Sequence, residues 1–324
     1  MEDGPRLAIL VIAHANPATF RRMAAALRHP RIRLFVHVDA RVDEAPFHEP
    51  GQDHVTFLAT RQENHWGGFS QVEVAARLFD AARAEGPFAS YVLISGDTLP
   101  LVTNEALIAA FAATPTVVLL RKLPPGDLNH RRVSDVYVVH ARLGRLKLAD
   151  FARDRSLAPG DLEEVQRAAQ TAALKRELGF DVYKGAQWLA LSEAHLAKLT
   201  DWLRANPAFV EIFRYSLMPD ESFIQSALPL ILPNYRGGPP IVAVDWSRKP
   251  KPFTVREMAE LDRVFAEGAP FFRKFADDGA ALQEAVLAAR RDLPAIRAAR
   301  KGTTFGLLRG AAQQAARKPA PDAA

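Results

Sequence analysis

Residues 7–39 read LAILVIAHANPATFRRMAAALRHPRIRLFVHVD, and this stretch decides the fold class. Residues 7–13 are a short, unbroken apolar run. An Asn-Pro turn follows, then a helical pattern over residues 18–27. Residues 33–39 (RLFVHVD) form a second apolar run that ends in an acid. Strands without polar alternation, separated by an amphipathic helix, are the pattern of a mostly parallel sheet covered on both faces. The pattern continues outward. Residues 54–59 predict a third strand, and residues 69–85 a helix with Val72, Val74, Leu78 and Phe79 at helical spacing. Residues 91–95 predict a fourth strand, 105–112 a helix and 116–121 a fifth strand. Ligands of such sheets bind beyond the C-terminal strand ends, and His14, Asp39 and Asp97 fall at or just past such ends.

Residues 124–176 are polar and rich in Arg and Asp. They read as loops plus one helix over 162–177, either an inserted substrate-binding segment or a plain surface excursion. Residues 181–191 (DVYKGAQWLAL) return to strand character, and 194–205 predict a helix. A Pro-Asp-Glu turn precedes a helix over 222–228. Residues 247–254 form a basic loop broken by prolines, and 255–266 predict another helix before the FFRKF of residues 271–275. From about residue 279 the chain is Ala- and Arg-rich, interrupted by Pro294 and Gly302. This tail reads as helical or disordered. Its basic residues are interleaved with Val286, Leu287, Leu293, Ile296, Phe305, Leu307 and Leu308, a composition that can lie on an anionic membrane surface.

The chain has no cysteine, which excludes disulfides, thiolate metal sites and cysteine nucleophiles. No basic stretch, apolar run and small-residue cleavage site stand in the order of a secretory signal. The longest early apolar run, residues 7–13, is far below the roughly 20 residues that span a bilayer. The expected location is cytoplasmic, with peripheral contact at the inner face of the membrane through the tail. A net charge of +5 is compatible with anionic small molecules or lipid headgroups. Neither an RNA-recognition signature nor zinc-finger spacing is present, so no nucleic-acid partner is expected. The Gly67-Gly68 pair is not a dinucleotide fingerprint, because no G-x-G-x-x-G follows a strand.

Eight blocks in order carry a resemblance. They are VIAHANP (11–17), FVHVD (35–39), WGGFS (66–70), YVLISGDTLPL (91–101), GAQWLALS (185–192), PDESF (219–223), KPKPFT (249–254) and FFRKF (271–275). Together they resemble the core-2/I-branching enzymes, which include branching β-1,6-N-acetylglucosaminyltransferases and protein O-xylosyltransferases. The resemblance runs from about residue 7 to 278. It implies a GT-A fold: a catalytic domain over residues 1–278, with a nucleotide-binding part (1–125), an acceptor and diphosphate-binding part (126–278), and a tail (279–324). It also implies inversion at the anomeric carbon and transfer from a UDP-sugar to a hydroxyl without a metal ion. The acceptor class stays open between glycan, lipid-linked and protein acceptors, and a role in bacterial surface-glycan synthesis is expected from the compartment.

The residues agree with that chemistry. Sugar transfer needs a base for the acceptor hydroxyl and positive charge for the departing diphosphate. No Asp-x-Asp tripeptide is present to hold a metal; the nearest acid is the single Asp97. Arg273 and Lys274, adjacent between aromatics, can supply a bidentate fork and a point charge to two phosphates, or can be solvated charges flanking buried Phe. The resemblance makes Glu221 the catalytic base; near a helix start, Asp220 and Glu221 also fit electrostatic capping. Gln187 stands where the xylosyltransferases carry an acid assigned as base, and an amide cannot take that role. Asp39 matches the carboxylate that accepts hydrogen bonds from uracil or ribose. His14 matches a nucleotide contact. Trp66 can border the nucleotide or sit in the core, and Trp188 and Arg61 are further nucleotide-side candidates. A non-catalytic glycan- or membrane-surface-binding protein on the same fold is the competing reading.

Overall fold

The computed structural model describes residues 4–154, 156–266 and 268–290. Strand β1 (Leu7–Ala13) is buried along its whole length, as an apolar run without alternation requires. Pro17, with φ preset for a first helical turn, opens α1 (Pro17–Ala26), which leads to β2 (Ile32–Val38) and β3 (Val55–Phe57). Helix α2 (Ser70–Glu85) carries the chain across the sheet to β4 (Ser90–Ser95). The strands β4, β1, β2 and β3 are parallel neighbours in that order. The order reverses at β1, so the crevice between the C-terminal ends of β1 and β4 is the topological switch point of the sheet.

After β4 the chain makes a short strand, β5 (Thr98–Pro100), then α3 (Asn104–Ala113), β6 (Arg121–Lys122) and α4 (Leu128–Ser134). Next come a hairpin of β7 (Tyr137–His140) and β8 (Gly144–Lys147), then α5 (Leu148–Phe151) and α6 (Pro159–Leu174). Val138, Phe151 and Ala168 of this polar segment form a small core with Tyr215, which follows the helix Pro207–Arg214. The segment is therefore a folded insertion with a hairpin that its composition did not announce. Strands β9 (Tyr183–Lys184) and β10 (Ala190–Leu191), and helices α7 (Glu193–Ala205), α8 (Pro207–Arg214) and α9 (Phe223–Ile231), complete the middle of the chain. Strand β10 adds to β4 antiparallel at the edge of the main sheet. Strand β11 (Val242–Val244), α10 (Leu261–Ala266), β12 (Phe271–Arg273) and α11 (Ala280–Ala288) end the described chain. Strands β11, β12 and β5 form a second sheet. Helix α11 buries Leu282, Gln283 and Val286 and packs on α1, α10 and β5.

Three sequence expectations are corrected. Residues 116–121 make no fifth parallel strand. Val117 forms only an isolated antiparallel bridge to Ala190, because Tyr235 and Gly238 take the neighbouring backbone groups of Val118. Residues 181–191 split into β9 and β10 around Gly185, whose backbone lies so close to Leu119 that an added Cβ would sit 1.9 Å from its carbonyl oxygen. The helix expected from residue 255 starts at Leu261, since Val255 is drawn into a bridge with Phe275 and donates to the Lys274 carbonyl at 2.8 Å. The amphipathic tail beyond residue 290 lies outside the described residues. No helix among the described residues is long and apolar enough to cross a membrane.

Candidate active site

Asp97 lies just past β4, at the switch point, and is almost fully buried. The turn before it requires glycine: a Cβ on Gly96 would approach the Ala13 Cβ to 2.9 Å. Strand β5 follows immediately and pairs with β12 in a register that sets Arg273 opposite Thr98. Phe275 donates its backbone N–H to the Asp97 carbonyl at 3.0 Å. The ladder thus delivers the FFRKF segment onto the carboxylate from 176 residues away in sequence. Arg273 Nε donates to Asp97 Oδ1 at 3.1 Å, and Lys274 Nζ lies 3.6 Å from Oδ2. The Ser95 hydroxyl donates to Oδ1 at 2.6 Å. Burial alone would push the Asp97 carboxyl up. The charge and hydrogen bonds of Arg273, the Ser95 hydroxyl and the charge of Lys274 overcome that and hold it below the ordinary carboxylate range.

Arg273 also lies over the Trp188 ring, 5.1 Å from its centroid, with the indole nearly buried. A planar guanidinium between a carboxylate and an aromatic face is pre-oriented. The pair is locked from a second side. Asp277 accepts from the backbone N–H groups of Ala18 and Thr19 and from the Thr19 hydroxyl, capping α1 and stapling the segment to the end of β1. His14 occupies that same end. Its pKa is lowered, first by desolvation and then by Lys274 and Arg273, against the opposing pull of Asp97 and Asp39. His14 is exposed as a residue. His14, Asp97, Arg273, Lys274 and Trp188 therefore form one cluster around the strand ends.

Glu221 ends a short 3-10 turn, Pro219–Glu221, directly before α9. Its carboxylate is paired with the Lys184 ammonium, and Arg132 Nη1 approaches Oε2 at 3.9 Å. The turn is tied to its surroundings by backbone bonds. Gly185 N–H donates to the Glu221 carbonyl at 2.8 Å, and Met218 N–H to the Gly67 carbonyl at 2.9 Å. Asp220, the neighbouring acid, points elsewhere. Burial, with Glu221 beside it, pushes its carboxyl up to about 7. The residue is half-buried as a whole, but Oδ1 is shielded from solvent. Neither acid caps α9 through a side-chain hydrogen bond.

Asp39 is buried and saturated. Oδ1 accepts from Arg41 N at 2.9 Å and Nε at 3.0 Å, and Oδ2 from Arg41 Nη2 at 2.6 Å and Asn64 N at 3.2 Å. These bonds outweigh the upward push of burial and depress its pKa. Arg61 pairs with Glu44 and donates to the carbonyls of Ala40 and Val42, so it braces the loop after β2. Trp66 is exposed, which removes the core alternative, and the Arg145 guanidinium lies 4.0 Å from its ring centroid. The Trp66-Gly67 turn spans from the Asn64 backbone at Asp39 to Met218 at the start of the Glu221 turn.

The Core-2/I-Branching enzyme family model matches residues 7–264. The chain belongs to the core-2/I-branching enzyme family. It is thus a glycosyltransferase of the core-2/I-branching type. No curated protein matches the chain. The family match covers the switch point, Trp188 and Glu221 but stops short of Arg273 and Lys274. Those two are placed by the β5–β12 ladder instead.

Sequence reasoning missed three residues of this candidate site. Lys184 and Arg132 contact Glu221, and Arg41 holds Asp39. Lys184 directly precedes the GAQWLALS block, which was the available signal; Arg132 sits in the insertion and had none. Asp97, expected only as an acid past a strand end, is paired with both Arg273 and Lys274. The arrangement offers a positive cluster at the strand ends and, on the other side of the Trp66 turn, one carboxylate held by cations.

Proposed function

We propose that the chain is an inverting glycosyltransferase that moves N-acetylglucosamine or xylose from a UDP-sugar to an acceptor hydroxyl, with no metal ion. The observation that carries this is the Asp97–Arg273–Lys274 cluster. The single acid at the strand end is already saturated by a hydroxyl, a guanidinium and an ammonium. Two cations are thereby held where the donor's diphosphate lies in a sheet of this topology. His14 and Asp39 border the nucleoside, Trp188 backs Arg273, and Trp66 separates donor from acceptor. Glu221 takes the proton of the acceptor hydroxyl as its oxygen attacks the anomeric carbon. The bond from that carbon to the diphosphate oxygen breaks, and UDP leaves with the electron pair. Arg273 and Lys274 meet the charge that develops on it. Lys184 and Arg132 fix the orientation of the Glu221 carboxylate.

The insertion over α4 to α6 flanks Glu221 through Arg132 and supplies the acceptor side. Bacterial surface-glycan intermediates are the proposed acceptors. The test is a screen of UDP-sugars read by product mass, with UDP release followed in parallel. Transfer or hydrolysis of UDP-N-acetylglucosamine or UDP-xylose supports the reading. Turnover of neither, together with no binding of UDP, contradicts it.

A further inference from the structure

The surroundings of Glu221 carry more positive charge than one carboxylate needs. Lys184 alone pairs closely with it. Arg132 stands farther off, with Nη1 3.9 Å from Glu221 Oε2, and gives that nitrogen to the Met218 sulfur at 3.1 Å. A thioether is a weak acceptor, so most of the Arg132 fork is left without a strong partner. A second arginine joins it from strand β8. Gly67 has φ +81°, and a Cβ there would lie 3.2 Å from Arg145 Cδ, 3.5 Å from Leu217 Cδ1 and 3.7 Å from Met218 Cγ. The stem of Arg145 and the side chain of Met218 thus meet over one glycine, which puts Arg132 and Arg145 on either side of Met218. The Arg145 guanidinium rests 4.0 Å from the Trp66 ring centroid, and both residues are exposed. Among the described residues Arg145 has this ring as its partner and no acid. A guanidinium held on an indole is already oriented, and its N–H edge stays available.

The other acids nearby do not cancel these charges. Asp39 is paired with Arg41, Glu63 with His65 and Asp135 with Lys147. Asp220 is pushed up to about 7 by burial and by Glu221, so it carries only part of a charge at neutral pH. We propose that the acceptor is a saccharide bearing an anionic group, a carboxylate or a phosphate, which Arg132 and Arg145 hold while Glu221 meets its hydroxyl. This rests on the reading of Glu221 as the base. Two planar forks suit the several oxygens of such a group, and charge-assisted bonds to it are stronger than those to a neutral hydroxyl. The exposed Trp66 indole beside them offers a flat apolar surface to the C–H face of a sugar ring, which favours a saccharide over an acidic peptide.

The probes are methyl β-glucuronide and glucose 6-phosphate, with methyl β-glucoside and glucose as their neutral counterparts. Each is titrated into the full chain, with and without saturating UDP, and read by NMR at the Trp66 indole N–H and the arginine side-chain N–H groups. Binding is read without turnover, so the result stands apart from the UDP-sugar screen. The expected result is that the glucuronide, the phosphate or both bind about tenfold or more tighter than the neutral counterpart while UDP is bound. Which of the two binds tells a carboxylate from a phosphate acceptor. The preference should shrink as salt is raised. Arg145→Gln should remove most of it and leave affinity for UDP and for the neutral sugars nearly unchanged. Arg145→Lys, which keeps the charge but not the fork, should restore only part. Equal affinity for charged and neutral sugars in the parent would overturn the proposal. Displacement of the anionic sugars by UDP would do the same, because the cations would then belong to the donor. So would a loss of UDP affinity in Arg145→Gln as large as the loss of anion preference, which marks a mere prop for Trp66. Tighter binding of a tetraglutamate peptide than of either anionic sugar would also overturn it.

Discussion

Asp97 shows how one buried side chain can gather two cations at a strand end. Its two oxygens are taken by Ser95, Arg273 and Lys274, so it holds a pair of cations at the strand ends with net positive charge. On the proposed reading, removing either cation loses charge-assisted contacts to the diphosphate, worth roughly 1.5–3 kcal/mol apiece. Arg273→Ala and Lys274→Ala are therefore expected to weaken UDP binding by about tenfold or more and to slow transfer, measured by calorimetry and by product formation. Unchanged UDP affinity in both variants would return the pair to a structural role. Glu221 is proposed to act on the other substrate. Glu221→Gln is expected to lower turnover on the order of a hundredfold while UDP binding stays nearly intact. Turnover within a few-fold of the parent would remove Glu221 as the base. Both assignments were legible as residue types in short blocks. Their partners were not, because Arg132 and Glu221 are far apart in sequence and nothing in an Arg-rich insertion marks one arginine among many.

At the scale of elements, the insertion is docked by one residue after α6. Lys175 is buried, and its ammonium donates to the carbonyls of Val133, Asp135 and Tyr215 and to the Ser216 hydroxyl at 2.7–2.9 Å. It fastens the end of α4 to the chain that runs into the Glu221 turn. Burial pulls its pKa down to about 7, well under the value in an unfolded chain. A depressed lysine penalises the fold while the unfolded chain keeps its proton. That penalty is complete below pH 7 and fades as pH rises towards 10.5. Thermal stability of the parent is thus expected to rise between pH 7 and 9, and Lys175→Met is expected to flatten that rise. The variant should also lose about 3 kcal/mol or more, because buried carbonyls are left without donors. An identical pH slope in the two proteins would contradict the burial argument. The alternating apolar runs and helical patterns marked β1 to β4 and α1 to α3 correctly, because those elements bury whole faces. The short strands β5 and β12 escaped notice. Each is three residues long, and its pairing is set by partners distant in the chain rather than by local pattern.

Across the whole molecule, charge and topology point the same way. The chain carries a net +5, and Arg273 and Lys274 lie together at the strand ends, which would favour capture of the proposed anionic donor. The basic, Leu- and Phe-bearing stretch beyond residue 290 lies outside the described residues and keeps the role proposed for it, contact with an anionic membrane surface. The full chain is expected to co-sediment with anionic vesicles at low salt. It should be released as salt shortens the screening length below about 8–10 Å. Equal, negligible sedimentation of the full chain and of a chain ending at Arg290 would remove that role. Arg273 and Lys274 are proposed to do the work of a metal ion. The most direct measurement is the transfer rate with excess EDTA and with added manganese, in the parent chain. Metal-free catalysis predicts rates equal within a few-fold in the two conditions. Loss of nearly all activity on chelation, restored by manganese, would contradict it.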